Sequence, residues 1–104
     1  MTTTTLLPSY TTPWGTPDHV EQIAEGIVLA STPSHGGFYL TPDRNAQIPA
    51  AWRAASWNGQ GERGWYEEDC DWCLVALTFP DLFPNEMEMA HATFRHFFAA
   101  KVGA

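Results

Sequence analysis

Three short stretches of this sequence hold residues whose types and spacing could do chemistry. Ser34-His35-Gly36-Gly37 sets an imidazole beside a hydroxyl and two glycines. A histidine can act as general acid or base near neutral pH, and glycines let the backbone approach a ligand closely. Asp69 or Asp71 could serve as the carboxylate that orients such an imidazole. Cys70-x2-Cys73 followed by His91-x4-His96 has the ligand order of a Cys2His2 zinc site. The third stretch is acidic: Glu67, Glu68, Asp69 and Asp71 place four carboxylates in five positions. Trp65, Tyr66 and Trp72 adjoin them and Glu62 lies just upstream. Acids beside aromatics suit an interface with a basic partner.

Each stretch also has a plainer reading. A Ser-His-Gly-Gly run between two strands is ordinary turn chemistry. No nucleophile motif, phosphate loop or metalloprotease helix accompanies it. The 17 residues between the cysteine and histidine pairs exceed the usual finger linker. Both cysteines fall on an apolar stripe, where Cys behaves as a small hydrophobe. Histidines five apart spread around a helix, and a zinc finger calls for a basic surface. The acids could be no more than a solvated face. The reading that follows assigns no catalytic residue, no metal and no cofactor, and treats 34–37 as a candidate ligand turn. It places partner binding on Glu62, Trp65, Tyr66, Glu67, Glu68, Asp69, Asp71 and Trp72.

The charge map supports that choice. The chain has 104 residues, enough for one small core, and a net charge of −7. Direct nucleic-acid binding needs Lys and Arg to displace phosphate counterions, and attachment to an anionic membrane needs them too. Both are excluded as expectations. The acids are not evenly spread. Residues 62–88 hold eight of them against Arg63 alone, so this stretch carries the whole net charge. Such a face can imitate the phosphate spacing of a nucleic acid and steer a basic partner onto it. A homodimer is compatible with the aromatic content of 13%. Met1–Leu7 offers four threonines where a secretory signal would be positive and then apolar, and the longest clean apolar run, Trp72–Leu77, is too short for a membrane span. Two cysteines make no disulfide framework. The expected location is the cytoplasm.

The elements that must position these residues read as follows. Residues 1–13, rich in Thr and Pro, form a flexible arm, and 14–104 form a single domain. Thr16-Pro17-Asp18 is a helix-start signal, predicting a short helix to about Ala24 that Gly26 ends. Residues 26–31 and 37–40 are β-branched or aromatic and read as a hairpin. Thr41-Pro42-Asp43 repeats the start signal, and Pro49 starts another helix over 50–56 with Trp52 and Ala55 inward. Residues 57–64 are a polar, Gly-rich loop. Cys73–Phe79 alone would suit a buried strand. However, Tyr66, Cys70, Cys73, Leu74 and Leu77 fall at helical spacing with Glu67, Glu68 and Asp71 opposite, which predicts a helix from Trp65 to Pro80. Pro84 and Asn85 open a last helix to about Val102, with Met87, Ala90, Phe94, Phe97 and Phe98 as its apolar stripe. Glu88, His91 and Arg95 line its polar side at pairing distance, and Gly103 is a natural stop. The fold class is α+β: one β-hairpin packed with several helices and a helix-rich C-terminal half.

Four segments in order carry a resemblance: Trp14-Gly15-Thr16-Pro17, Ser31-Thr32-Pro33-Ser34-His35-Gly36-Gly37-Phe38-Tyr39-Leu40, Trp65-Tyr66-Glu67-Glu68-Asp69-Cys70-Asp71-Trp72 and Phe79-Pro80-Asp81-Leu82-Phe83. From residue 14 to about 98 the chain resembles an uncharacterised domain met in proteins of bacterial plasmids, phages and integrated mobile elements. That resemblance supplies no activity and no catalytic residue. It implies a genomic setting in which small acidic proteins are often inhibitors of host defence, anti-CRISPR proteins among them. The expected function is inhibition of a basic, nucleic-acid-handling host protein through the acidic face of 62–88. A small enzyme built on His35 and a zinc-stabilised structural module are the alternatives.

Overall fold

The structure, a computed structural model, describes residues 4–9 and 11–102. Gly103, expected as the helix stop, lies outside them, as do Met1–Thr3, Tyr10 and Ala104. Four antiparallel strands form one sheet in the order β1-β2-β3-β4: β1 His19–Ala24, β2 Ile27–Ser31, β3 Gly36–Leu40 and β4 Trp65–Glu67. The expected hairpin is β2–β3, with Val28 opposite Tyr39 and Ala30 opposite Gly37.

The sheet is larger than expected because two segments read as helix are strands. Residues 19–24 pair with β2, His19 opposite Ser31 and Gln22 opposite Val28. Asp18 donates its amide to the Ser31 carbonyl at 2.9 Å, so the capping signal enters a ladder instead of a helix. Gly26 does not cap a helix. Its φ of +85° completes the two-residue turn between Ala24 and Ile27, a conformation that glycine adopts without strain. Trp65–Glu67 pairs with Gly37–Tyr39, and the acids that follow lie in a turn, not on a helix.

The helices are α1 Pro42–Asn45, α2 Ala50–Ala55, α3 Trp72–Thr78, α4 Met87–Phe97 and α5 Ala99–Val102. The second Thr-Pro-Asp signal does open a helix, with Pro42 in its first turn. Between α2 and β4 the expected loop is a 3₁₀ segment, Trp57–Arg63, kinked where Asn58 and Gly59 take positive φ. The last helix is broken at Phe98, whose φ of −122° separates α4 from α5. Met87, Ala90, Phe94 and Phe98 turn inward, but Phe97 remains 44% exposed. Glu88, His91 and Arg95 are exposed, and the ion pairs among the described residues are His19–Glu21 and Arg53–Glu62, so the expected pairing along α4 is not formed.

Strand alternation gives the sheet two different faces. Ile27, Phe38, Leu40 and Tyr66 pack under the helices against Ile48, Leu74, Val75, Phe94 and Phe98. Ala30, Tyr39 and Trp65 point the other way and are covered by Leu7 and Trp14. The described part of the N-terminal arm lies along the sheet: the Thr5 amide donates to Gln22 Oε1, and the Thr5 hydroxyl accepts from the Gly26 amide at 2.7 Å. No helix of the described residues is long and apolar enough to cross a membrane.

Candidate functional site

The turn after β4 is built by one of its own acids. Glu67 folds its carboxylate back onto the chain, where Oε2 accepts the Asp69 amide at 2.8 Å and Oε1 accepts the amides of Cys70 and Asp71. A carboxylate gathering backbone amides in this way fixes a tight turn and satisfies donors that would otherwise lack partners. Asp71 is buried, at 2% exposure, and its Oδ2 accepts the Trp57 amide at 2.8 Å. It thereby ties the start of α3 to the 3₁₀ segment. Burial pushes the Asp71 carboxyl up to about 6, the Glu67 charge adds to this, and the backbone amides of Trp57 and Glu67 oppose it. Asp71 belongs to no ion pair among the described residues.

These groups border an open cleft of about 530 Å³. Trp14 and Trp57 stand on one side, their ring centroids 6.5 Å apart. Asp69, Asp71, Glu67 and Cys70 contribute from the turn, and Phe97, Phe98 and Lys101 from the C-terminal helices. His35 also lines it, so the imidazole and the carboxylates considered as its partners share one cavity. Cys70 offers no ready nucleophile. Burial, followed by the charges of Glu67, Asp71 and Asp69, pushes its thiol up and keeps it protonated. Cys73 is fully buried and pushed up to about 12, chiefly by burial. No group of three or more His, Cys, Asp or Glu side chains among the described residues is placed to hold a metal ion. Cys70, Cys73, His91 and His96 therefore do not form the site that their order suggests.

The expected partner-binding set separates into three groups. Trp65 and Tyr66 are core residues, 5% and 0% exposed. Tyr66 donates its hydroxyl to Asn45 Oδ1, and Asn45 Nδ2 donates to the Gly61 carbonyl at 2.7 Å, which stitches the 3₁₀ segment to α1. Burial pushes the phenol upward, so it remains a donor. Glu67 and Asp71 hold the turn together. Only Glu62, Glu68 and Asp69 are exposed acids. Glu62 stands apart at 3.7 Å from Arg53. Glu68 and the half-buried Trp72 edge a second, smaller groove of about 230 Å³ with Phe38, Phe83 and Glu86.

The candidate ligand turn also divides. Thr32 closes it: its hydroxyl donates to the His35 carbonyl at 2.6 Å and accepts the His35 amide at 3.1 Å. Ser34 and His35 are exposed at its tip. Gly36 and Gly37 are buried at the start of β3, paired with β2 and β4. A Cβ on Gly37 would lie 2.3 Å from the Tyr66 carbonyl and 2.6 Å from Trp14 Cη2, so glycine here lets the tip of the Trp14 ring come down onto β3. Sequence reading missed Trp14, Trp57 and Phe97 as site residues. Their meeting with the acidic turn around one cleft arises only from the tertiary fold.

Taken together, the architecture is that of a small α+β domain whose helices cover one sheet face, while a cleft of aromatic and acidic side chains opens beside the other. The chain belongs to the DUF7007 family, a domain of unknown function whose family model matches residues 8–102. No curated protein and no solved structure matches the chain. The family supplies membership and no activity, so function must be argued from the site.

Proposed function

We propose that this chain is a small acidic interaction protein of mobile-element type that docks on a basic, nucleic-acid-handling surface of a host protein and inhibits it, in the manner of anti-CRISPR proteins. The observation that carries the reading is the distribution of charge. All seven net negative charges fall in residues 62–88. Of these acids, Glu68, Asp69, Asp81, Glu86 and Glu88 are exposed and outside every ion pair among the described residues. Carboxylates left without cations in their own chain are available to a partner's, and complementary potential of this kind speeds encounter and selects partners.

The test is a pull-down from host lysate at low and high salt with the native chain and a Glu68→Gln/Asp69→Asn/Glu86→Gln variant. Glu67 and Asp71 are left intact because the turn depends on them. The expected result is a nucleic-acid-binding host protein recovered by the native chain at low salt only, and not by the variant. Equal recovery by both chains overturns the reading.

One observation favours a second reading. His35 lines the same cleft as Asp69 and Asp71, the carboxylates considered as its partners. Against it, the hydrogen bonds of His35 among the described residues are those of its backbone to Thr32, and none joins its imidazole to either carboxylate. A chromogenic ester and phosphoester panel, run on the native chain and on His35→Ala, decides the matter. Turnover that vanishes in the folded variant would establish an enzyme, and no turnover in either chain removes this reading.

A further inference from the structure

The cleft beside the acidic turn is more specific than an acidic face needs to be. It joins two kinds of wall. Trp14 and Trp57 present indole rings, Trp57 being 43% exposed although it is the larger kind of apolar side chain that a small domain would bury if it could. Facing the same space are Asp69, whose exposed carboxylate has no hydrogen bond or ion pair among the described residues, and Asp71, a buried carboxylate that accepts the Trp57 amide and forms no ion pair among them. A buried carboxylate without a cation is costly, and the cost falls when a cation arrives. Aromatic faces and carboxylates together recognise one chemistry, an organic cation. The rings attract it through their quadrupoles and the carboxylates through charge.

The chain already places one such cation at the edge of this space. Lys101 lines the cleft with its Nζ 5.6 Å from the centroid of the Phe98 ring, and its charge lowers the Asp71 carboxyl against the effect of burial. A single lysine set against Glu67, Asp69 and Asp71 leaves the cleft negative. We infer that this cleft is a receptor for a guanidinium group, presented as an arginine side chain of the basic partner, which stacks on Trp57 and pairs with Asp69. Arginine fits better than lysine because its planar, weakly hydrated head can lie on an indole face while its N–H groups still reach a carboxylate. The source of the arginine rests on the binding reading above, whereas the receptor chemistry is tested without any partner.

The experiment follows the Trp57 indole N–H by NMR in the intact chain while Nα-acetyl-arginine amide is added. Nα-acetyl-citrulline amide, neutral and of nearly the same shape, and Nα-acetyl-lysine amide run alongside. The expected result is saturable shifts with the arginine probe, weaker ones with lysine and none with citrulline. Asp69→Asn and Trp57→Ala, the latter followed through Trp14, each weaken the arginine probe about fivefold, the size of one charge-assisted or cation–π contact. Glu88→Gln removes the same charge from α4, outside the cleft, and changes binding less than about twofold, the scale of a screened surface charge. Lys101→Met, which removes the resident cation, tightens it. Equal shifts with arginine and citrulline, or equal losses in Asp69→Asn and Glu88→Gln, overturn the inference. A cleft that takes the probe in a chain that recovers no partner keeps the receptor and removes the inhibitor. Recovery of a partner by a cleft that ignores the probe does the reverse.

Discussion

The two faces of the sheet are built by different means. Under the helices, Ile27, Phe38, Leu40 and Tyr66 share one core with Leu74, Val75, Phe94 and Phe98, and Leu74, Val75 and Ala76 are wholly out of water. On the other face, Tyr39 and Trp65 sit with ring centroids 5.0 Å apart, and Trp14 stands edge-on to Trp65 at 5.6 Å. Among the described residues that layer is covered by Leu7 and Trp14 and by no helix, and Trp57, beside Trp14, is left partly in solvent. The contrast shows how a small chain can divide its labour. One face has exchanged nearly all of its apolar surface for stability. The other leaves aromatic surface at the edge of solvent, where Trp57 is 43% exposed.

Truncation on each face tests this division most strongly. Leu74→Ala removes a fully buried side chain from between the sheet and α4 and is expected to cost about 2–5 kcal/mol. Trp14→Ala, at a half-buried ring, is expected to cost about 1–2 kcal/mol while opening the cleft. Urea unfolding of the two variants measures both, and equal losses would erase the distinction between the faces.

A second test concerns the buried acid that joins them. The Asp71 carboxyl, at about 6 in the folded chain against an ordinary 3.8, holds its proton more tightly folded than unfolded. Its contribution to stability is therefore complete below pH about 4 and is lost as pH rises through about 6, by at most about 3 kcal/mol. Asp71→Asn removes the titration while retaining an oxygen for the Trp57 amide. Thermal unfolding across that pH window should show the native chain losing stability relative to the variant as pH rises. Parallel curves would mean that the carboxyl is not buried in solution.

A further test belongs to the helix-covered face. Tyr66→Phe keeps the ring and leaves Asn45 Oδ1 without its donor, a loss of about 1–3 kcal/mol. Calorimetry should register it with no change in the cleft, and altered arginine-probe binding in this variant would show that the two faces are coupled.

The same comparison explains what was legible in the sequence. Ile27–Ser31 and Gly36–Leu40 could be read because β-branched and aromatic residues on both sides of a turn leave little choice. The two Thr-Pro-Asp segments mark the limit of local signals. At 41–43 the following chain is free to coil and the signal opens α1. At 16–18 the following residues find a partner in β2, and ladder pairing overrides the cap. Trp65–Glu67 was hidden because three residues are too few to show a period of two, while the residues after them happen to fit a helix. The acidic site was legible as a cluster and illegible as a geometry. Charge pattern alone cannot tell that Glu67 would turn onto its own backbone, that Asp71 would go inside, or that Trp14 and Trp57 would meet across 43 positions of sequence.

The inward turn of Asp71 also changes the molecule as an electrolyte. A carboxyl that keeps its proton to about pH 6 contributes little charge in the weakly acidic range where an acidic protein comes to rest in an electric field. The native chain therefore focuses at a higher pH than the same chain unfolded in urea, and the Asp71→Asn variant narrows the gap between the native and urea gels.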